Sequence, residues 1–270
     1  MIVGIDIGAT TTKAVSIERG RLIRKVKIKA SDAVAAATGA FGKMLLENTI
    51  CIQDVQGIMI TGVGSTRIKD DIFGIPTKCV DEIRAIGTGG KFLSGLDNII
   101  ITNIGTGTAI IEAGSAGISH YGGSGVGGGT IIGLAKKLLP TCEFSEIVKL
   151  AQKGNFKTVD LLLEDITDME MGFLNKEATI SNFGKMSDGA CNADFALAII
   201  NMVYQVIGML SVFAARAKNL DRVVITGNGS GNVVGQRLLA GITQMYGTEF
   251  VYPPDAEFTT AVGAGLAFRP

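Results

Sequence analysis

The sequence predicts a two-lobed α/β fold with a ligand cleft between the lobes. An apolar strand, a turn of glycines and threonines and a second strand occupy Gly4–Val15, and the same pattern returns at Asn98–Gly114. The 37 glycines of the 270 residues cluster at the ends of predicted strands, which indicates close approach of the backbone to a ligand. Two similar turns facing one another predict a shared cleft, with one lobe over residues 1–95 and the other over 96–270.

Composition narrows the class of partner. The 25 basic residues balance the 25 acidic ones, so no strong field points to nucleic acid or to an anionic membrane, and neither is an expected partner. The cysteines are far apart and lack a CxxC motif, which predicts free buried thiols in a reducing compartment. They are Cys51, Cys79, Cys142 and Cys191. Met1 leads directly into a strand, so we expect no signal peptide and a cytoplasmic protein.

The first lobe is predicted to contain a hairpin, a third strand, a helix and two further strands before a second helix. The helix after the third strand begins behind Ser31, a residue suited to capping. Short apolar runs that end in glycine indicate buried parallel strands. The predicted elements are the hairpin Met1–Ile17, strand Arg21–Lys29, helix Asp32–Asn48, strands Val55–Thr61 and Pro76–Val80, and helix Asp81–Leu93.

The second lobe is predicted to open with the repeated hairpin and to continue mostly as helices. A long apolar stretch, Phe195–Ala215, contains Asn201 and Gln205 and predicts a buried or dimer-forming helix in preference to a membrane span. The other predicted elements are the glycine loop and helix Gly122–Leu134, short helices Phe144–Lys153 and Thr158–Leu163, the long helix Asp194–Lys218, the strand and glycine turn Asp221–Asn232, and the closing helix Thr259–Phe268.

The first turn has the chemistry of a phosphate site. A nucleotide triphosphate needs backbone N–H groups, hydroxyls and a cation, presented where side chains do not obstruct it. Asp6, at the end of the first strand, is placed to hold Mg²⁺. An ordinary hairpin with β-branched turn residues is the alternative interpretation of this stretch. The candidate binding residues are Gly8, Thr10, Thr11, Thr12 and Lys13.

Three further glycine turns support the same site. Gly105, Thr106, Gly107 and Thr108 form the second copy of the turn, behind Asn103. The turn Gly227–Asn228–Gly229 lies between a strand and a helix and is suited to an adenine or ribose contact. Gly127, Gly128 and Gly129 precede a predicted helix, which favours an anion site over glycines that merely pack helix against sheet. Neither a Rossmann GxGxxG nor a Walker lysine accompanies these turns.

These turns resemble those of the acetate and sugar kinase, Hsp70 and actin superfamily, and the more specific resemblance is to type II pantothenate kinases. It extends over essentially the whole chain, and the GGSGVGGGTIIGL stretch is its most specific motif. The stretches that carry it are Gly4–Lys13, Asn103–Ala109, Gly122–Leu134, Ser181–Met186, the GNG turn and the closing TTAVGAGLAF. The resemblance implies an actin-like ATPase (ribonuclease H-like) fold in both lobes and a homodimer formed with help from Asp194–Lys218.

The resemblance also implies an activity, which is the ATP- and Mg²⁺-dependent phosphorylation of pantothenate to 4′-phosphopantothenate, the first step of coenzyme A biosynthesis. Asp6 would hold the Mg²⁺–phosphate unit, and Lys13 would contact the phosphates. The family's general base is a glutamate that opens a helix after a short strand; Glu82 fits best, and its neighbour Asp81 stays open as an alternative. CoA or an acyl-CoA is the expected feedback ligand.

One position departs from the family pattern. The family places an arginine, which pairs with the pantothenate carboxylate, two residues before the GG of the glycine loop, and this chain has His120 there. Imidazole is a poor substitute for a bidentate guanidinium. His120, Tyr121 and Gly122 are predicted to lie on the substrate side, with Arg67 or Arg84 as other sources of the charge. Pantetheine, which lacks a carboxylate, is an alternative acceptor.

Two further hypotheses come from the same fold. One is the ATPase activator of 2-hydroxyacyl-CoA dehydratases, which needs cysteines that bridge an iron–sulfur cluster between subunits; no cysteine here lies suitably near the glycine loop. The other is a non-catalytic nucleotide or acyl-CoA sensor. The departure at His120 favours a sensor, whereas the retention of Asp6, Lys13 and Glu82 disfavours it.

Overall fold

The computed structural model describes residues 1–29, 31–167 and 176–268. Over these residues the chain forms two five-stranded sheets and one two-stranded ribbon, with helices against both sheets. The strands are β1 (Ile2–Ile7), β2 (Thr12–Glu18), β3 (Arg21–Ile28), β4 (Gly57–Thr61), β5 (Thr77–Cys79), β6 (Ile99–Ile104), β7 (Thr108–Gly114), β8 (Gly117–Ser124), β9 (Leu161–Leu162), β10 (Thr179–Ser181), β11 (Arg222–Thr226) and β12 (Glu249–Val251). The helices are α1 (Ala33–Asn48), α2 (Glu82–Ser94), α3 (Gly128–Leu138), α4 (Phe144–Ala151), α5 (Asn192–Ala217), α6 (Val233–Tyr246) and α7 (Thr259–Leu266).

The two large sheets have the same topology. The first has the strand order β3-β2-β1-β4-β5, and the second has the order β8-β7-β6-β11-β12 reading from its own hairpin edge. In each, three antiparallel strands joined by tight turns meet two parallel strands at the centre. The predicted α/β architecture with a duplicated sheet is therefore what the chain forms.

Apolar alternation explains the packing of the first sheet. Val3, Ile5 and Ile60 point to one face of the sheet and are fully or almost fully buried. Phe41 and Met44 of helix α1 join them in one core cluster. A fully buried aliphatic or aromatic side chain contributes about 1.5–3 kcal/mol, so this face fixes the position of β1, whose carboxyl end carries Asp6.

Two helices cross between the sheets. Helix α2 packs on the second sheet through Ile86, whereas α7 packs on the first sheet through Ala261 and Val262. The two helices touch each other closely: a Cβ added at Gly263 would come within 1.8 Å of the Ala85 carbonyl oxygen. The last helix thus returns to the first sheet. The predicted division of the chain at residue 95 stays a prediction.

Three local predictions need correction. The four cysteines are free thiols, but all of them are exposed and not buried. Asp32, and not Ser31, caps helix α1, because its Oδ1 accepts a hydrogen bond from the Ala35 N–H at 2.7 Å. The predicted helix over Thr158–Leu163 is instead a 3₁₀ turn, Phe156–Thr158, followed by the two-residue strand β9. Strand β9 pairs with β10, and this long-range partner overrides the local helical preference.

Helix α5 supports the second lobe. Among the described helices it is long and apolar enough to cross a membrane, with a mean hydropathy of 1.9 over its most apolar stretch, but 67% of that stretch is buried within the fold. Tyr204, Ile207 and Val212 lie in the second lobe's main core cluster. The helix therefore has the burial of a core helix, as predicted.

Candidate active site

The first turn places two charged side chains side by side in a buried position. Asp6 on β1 is paired in register with Lys13 on β2, so both side chains point to the same face of the sheet. The Lys13 Nζ lies 4.0 Å from the Asp6 Oδ2, and both side chains are almost completely covered. The next residue in this row, on β4, is Thr61, whose buried hydroxyl has no hydrogen-bond partner.

Burial acts on both charges. It raises the pKa of the Asp6 carboxyl, and the nearby Lys13 only partly offsets this effect. Burial likewise lowers the pKa of the Lys13 ammonium, against the attraction of Asp6. For each charged group, the free energy lost by leaving water therefore exceeds the free energy gained by attraction to its partner. This is typical of sites where a further charged ligand completes the arrangement.

The residues around Asp6 suit a magnesium ion. Mg²⁺ is usually held by one or two carboxylates together with waters and substrate phosphates, so a closed cage of protein ligands is not needed. Among the described residues, no group of three or more His, Cys, Asp or Glu side chains forms such a cage. Gly62 leaves room beside the carboxylate, because a Cβ there would lie 2.6 Å from the Asp6 Oδ1. The unpartnered Thr61 hydroxyl is a further polar group beside the carboxylate.

The second turn repeats the geometry without the charges. Asn103 takes the place of Asp6 at the end of β6 and pairs with Ala109. The turn closes by a hydrogen bond from the Gly105 N–H to the Gly107 carbonyl at 2.9 Å, as the first closes from Gly8 to Thr11 at 3.1 Å. Thr108 is held by the chain itself, because its Oγ1 donates to the Val126 carbonyl at 2.8 Å.

The third turn links the two lobes. Gly227 begins it with a positive φ of 81°, and Asn228 and Gly229 follow between β11 and α6. The Asn228 Nδ2 donates to the Thr11 Oγ1 at 3.1 Å, which joins the turn to the hairpin turn of the first lobe. The Gly229 carbonyl accepts from the buried Tyr204 hydroxyl at 2.7 Å, so the turn is anchored to helix α5.

Two cavities meet at these turns. The carboxylate cavity, about 450 Å³, contains Asp6, Lys13 and Glu82. The tyrosine cavity, about 400 Å³, is lined by Tyr204 and by residues of β3 and α3. The cavities share the neck formed by Thr10, Thr11, Gly105, Thr106 and Asn228. A ligand that passes through this neck contacts both cavities.

Most of the predicted site residues line these cavities. In the carboxylate cavity are Asp6, Gly8, Thr10, Thr11, Lys13, Glu82, Gly105, Thr106, Gly107, Thr108, Gly227 and Asn228. Gly128, Gly129 and Gly229 line the tyrosine cavity. Thr12 and Gly127 line neither: Thr12 is fully buried within the first sheet, and Gly127 caps helix α3.

The glycine loop packs closely against the second turn. The N–H groups of Gly128 and Gly129 donate to the carbonyls of Gly105 and Thr106 at 2.9 and 2.8 Å, so they are not free to bind an anion. A Cβ at Gly127 would lie 2.7 Å from the Thr106 carbonyl oxygen. The glycines therefore allow α3 to pack tightly against the second turn and to hold it in place. These contacts support the packing interpretation, and the anion site at this helix N-terminus stays a prediction.

The structure separates Glu82 from Asp81. The Asp81 Oδ1 caps helix α2 by accepting from the Arg84 N–H at 2.9 Å. Glu82, the first helical residue, instead lines the carboxylate cavity. Burial raises the pKa of Glu82, and the negative charges of Asp6 and Asp81 raise it further. Glu82 therefore combines access to the cavity with enhanced basicity.

The residues predicted to contact an acceptor lie elsewhere. His120 and Tyr121 are exposed on the edge strand β8, and with Gly122 they line neither cavity. Tyr121 is a bulge residue, since β7 pairs with the residues on either side of it. Arg67 and Arg84 are likewise exposed and outside the cavities. The roles of these residues stay predictions.

Several residues that line the cavities are not among the site residues predicted from the sequence. Val63, Ser124 and Thr260 line the carboxylate cavity, and Lys27 and Lys29 line the tyrosine cavity. The alternation of lysines along Arg21–Lys29 is the sequence signal for the last two. Lys27 pairs with Glu257 at 2.6 Å, and Lys29 pairs at 3.3 Å with Glu143, which also lines the tyrosine cavity.

Comparisons with known proteins agree with this fold. The family model named Fumble matches residues 98–234, about half of the chain. A type II pantothenate kinase of Bacillus cereus is 27% identical over 275 residues, covering 98% of this chain and 97% of the relative. The activator of the 2-hydroxyisocaproyl-CoA dehydratase from Clostridium difficile, solved with bound ADPNP, superposes with a TM-score of 0.69 at 18% identity, over 98% of this chain and 92% of that one. The ROK hexokinase of Thermus thermophilus gives 0.58 at 15% identity, over 98% and 97%.

The duplicated sheets and the cleft between them define an actin-like ATPase fold, as the sequence predicts. Within that class the chain belongs to the Fumble family. The resemblance to type II pantothenate kinases that the motifs indicate is confirmed by relatives carrying that name along nearly the whole chain.

Proposed function

We propose that this protein is a kinase that uses ATP to phosphorylate pantothenate on its primary hydroxyl, giving 4′-phosphopantothenate. The observation that carries the proposal is the carboxylate cavity, where Asp6, Lys13 and Glu82 meet the turns of the second lobe. The relatives named type II pantothenate kinase point to the acceptor. Fold likeness alone supports ATP use through the ADPNP of one structural neighbour.

The two cavities suggest how ATP lies. The tyrosine cavity, which is the more apolar space beside α3 and Asn228, takes the nucleoside. The phosphates pass through the shared neck, where the hydroxyls of Thr10, Thr11 and Thr106 face them. The terminal phosphate then lies in the carboxylate cavity. Hydroxyl and backbone N–H groups suit this path because they bind phosphate oxygens without closing the cavity.

Glu82 is the proposed general base. As the acceptor oxygen forms its bond to the γ-phosphorus, the bond from that phosphorus to the bridging oxygen breaks and ADP leaves. The acceptor proton moves to the Glu82 carboxylate. The raised pKa of Glu82 brings it nearer to the operating pH and makes this transfer more favourable.

Asp6 and Lys13 are the residues proposed to compensate the charge of the phosphates. Asp6 would hold Mg²⁺, which supplies neutralisation of the phosphate oxygens when it is bound. Lys13 presents an ammonium on the same face, fixed by its register with Asp6. Because both groups are buried before the substrate arrives, they need little reorganisation during the reaction, and this is the usual source of electrostatic catalysis.

A second acceptor, pantetheine, is favoured by one observation. His120 stands where the family has its carboxylate-binding arginine, and it is exposed outside both cavities. Pantetheine carries the same primary hydroxyl without the carboxylate. The same chemistry at Glu82 would then act on a neutral substrate.

The test is transfer of the γ-phosphoryl group from ATP with Mg²⁺ to pantothenate and, in parallel, to pantetheine. We expect wild-type turnover of pantothenate and a loss of about 10²–10⁴-fold in kcat for Glu82→Gln, the usual contribution of a general base. Glu112→Gln is the matched control, because Glu112 pairs with Lys218 at 2.7 Å and lines neither cavity. ATP binding should persist in both variants.

The other outcomes discriminate the alternatives. Turnover of pantetheine alone changes the acceptor but keeps the kinase. ATP binding without turnover of either acceptor favours the sensor hypothesis, and stoichiometric iron in the purified protein would favour a dehydratase activator. A homodimer built with α5, feedback by CoA or an acyl-CoA, and a cytoplasmic location belong to the same proposal and stay predictions.

A further inference from the structure

The two lobes carry a second repeated turn. The stretch ITGVGS, Ile60–Ser65, follows β4 in the first lobe, and ITGNGS, Ile225–Ser230, follows β11 in the second. Each strand is parallel to the first strand of its own lobe and ends beside it. Each turn continues as a 3₁₀ helix. The two turns therefore occupy equivalent places in the duplicated fold.

The backbones of the two turns agree in detail. Gly62 and Gly227 have φ values of 85° and 81°. A Cβ at Gly62 would lie 2.6 Å from the Asp6 Oδ1, and one at Gly227 would lie 2.8 Å from the Asn103 Oδ1. At Gly64 a Cβ would lie 2.4 Å from the Cγ2 of the isoleucine that follows Asp6. At the equivalent Gly229 the distance to the corresponding isoleucine is 2.3 Å.

The residue between the glycines differs. In the second lobe it is Asn228, whose amide donates across the cleft and borders both cavities. In the first lobe it is Val63, which cannot donate and borders the carboxylate cavity alone. The same backbone thus presents a polar group on the nucleotide side and an apolar one on the side of Glu82.

Val63 is unusual within its cavity. Its side chain is 65% exposed, although the turn that carries it is packed against β1. Among the described residues that line the carboxylate cavity, it is the only branched aliphatic side chain; the others are charged, hydroxyl, amide, alanine or glycine residues. An exposed valine in a polar cavity gains free energy when a ligand covers it with apolar surface.

We infer that Val63 is a specificity residue that packs against apolar branches of the acceptor next to the reacting hydroxyl. The inference deepens the proposed function and rests on it. Because Glu82 must reach the acceptor hydroxyl, the carbon beside that hydroxyl lies in the same cavity as Val63. Pantothenate carries two methyl groups on the next carbon along the chain, directly bonded to the CH₂ that bears the reacting hydroxyl. The valine selects an acceptor branched at this point over an unbranched alcohol.

The test crosses Val63→Ala with removal of the acceptor's methyl groups. Wild type and variant are assayed with pantothenate and with its analogue lacking both methyl groups, and acceptor binding is measured with a non-hydrolysable ATP analogue present. We expect Val63→Ala to lower kcat/KM for pantothenate about tenfold or more, as for other lost methyl contacts in a pocket. With the unbranched analogue we expect a change below about threefold. The KM for ATP should stay constant.

Each outcome has a distinct meaning. An equal loss on both acceptors, or a change in the ATP KM, would overturn the inference while the kinase stands. If the wild type neither binds nor phosphorylates either acceptor, the proposed function and the inference fail together. Val63→Asn, which installs the residue of the second lobe, serves as the second variant, and it should discriminate against pantothenate at least as strongly as Val63→Ala. Since the side chain is largely exposed, both variants are expected to fold.

Discussion

The hairpin turns of the two lobes share a backbone and differ in charge. In the first lobe, Asp6 faces Lys13, and in the second lobe, Asn103 faces Ala109 at the same register position. The neighbouring threonines differ as well. Thr226 donates its hydroxyl to the Asn103 Oδ1 at 3.0 Å, whereas the equivalent Thr61 hydroxyl beside Asp6 has no partner.

This difference between the two turns supports the proposal that the first turn holds the reacting charges. In the second turn the Asn103 side-chain oxygen already has a partner within the chain, and the glycines of α3 pack against the turn. The first turn keeps a buried carboxylate and a buried ammonium, and the neighbouring Thr61 hydroxyl has no hydrogen-bond partner within the protein. Burying polar groups without partners costs free energy, which is typical of a functional site and not of a structural turn.

The largest expected effect comes from giving the first lobe the residues of the second. Asp6→Asn should lower kcat by roughly 10³-fold, because it removes the charge proposed to hold Mg²⁺ near the phosphates. Steady-state kinetics with a magnesium titration is the measurement. The double variant Asp6→Asn/Lys13→Ala recreates the pair Asn103 and Ala109, so it should fold and stay equally inactive.

The double variant is also the control for folding, since Asp6→Asn alone leaves the buried Lys13 without its counter-charge. We expect its melting temperature to equal or exceed that of the single variant. Near wild-type turnover in either variant would show that the charge difference between the lobes has no catalytic meaning.

Only part of this difference between the two lobes can be predicted from the sequence. Strand–turn–strand patterns around GATTTK and GTGT are local, so both hairpins and most cavity residues can be predicted from them. The anion site at Gly128 and Gly129 could not be judged, because whether an N–H is free depends on a carbonyl about 20 residues away in the chain. The choice between Asp81 and Glu82 depends on where α2 begins, and helix ends are uncertain by a residue or two.

The second-largest expected effect tests whether Gly62 and Gly227, which occupy equivalent positions in the two lobes, have equivalent roles. Gly62→Ala and Gly227→Ala both force a side chain into a positive-φ position and into contact with neighbours. We expect each to lose about 2–4 kcal/mol in the free energy of unfolding, measured by denaturant titration. Gly20→Ala is the matched control: its φ is 73°, but nothing lies within 4 Å, so only about 1 kcal/mol is expected.

Activity should separate the two glycine variants. The added methyl at Gly62 pushes on Asp6, whereas at Gly227 it pushes on Asn103. At temperatures where both variants are folded, we expect Gly62→Ala to lose about tenfold more kcat than Gly227→Ala, since small displacements of a charged group are costly. Equal losses of kcat in the two variants would mean that the position of Asp6 matters no more for catalysis than the position of Asn103.

The smallest effect concerns the pH dependence at Glu82. The base must be ionised, so kcat/KM rises with pH through the pKa of Glu82, which lies above its ordinary value of 4.5 because of burial and the charges of Asp6 and Asp81. Asp81→Asn removes the weakest of these causes while keeping the cap, because an asparagine oxygen also accepts from the Arg84 N–H. The acid limb should therefore move to lower pH by less than about one unit.

The direction of that shift decides between the two carboxylates. The control is Asp97→Asn, beyond the far end of α2, where the carboxylate pairs with Lys91 at 3.2 Å and should leave the profile unchanged. If Asp81 were the base, Asp81→Asn would abolish turnover instead of shifting the limb. A retained rate with a lower midpoint assigns Asp81 to capping and Glu82 to proton transfer. The second hairpin offers no comparable charges, because Asn103 and Ala109, at the register position of Asp6 and Lys13, are neutral.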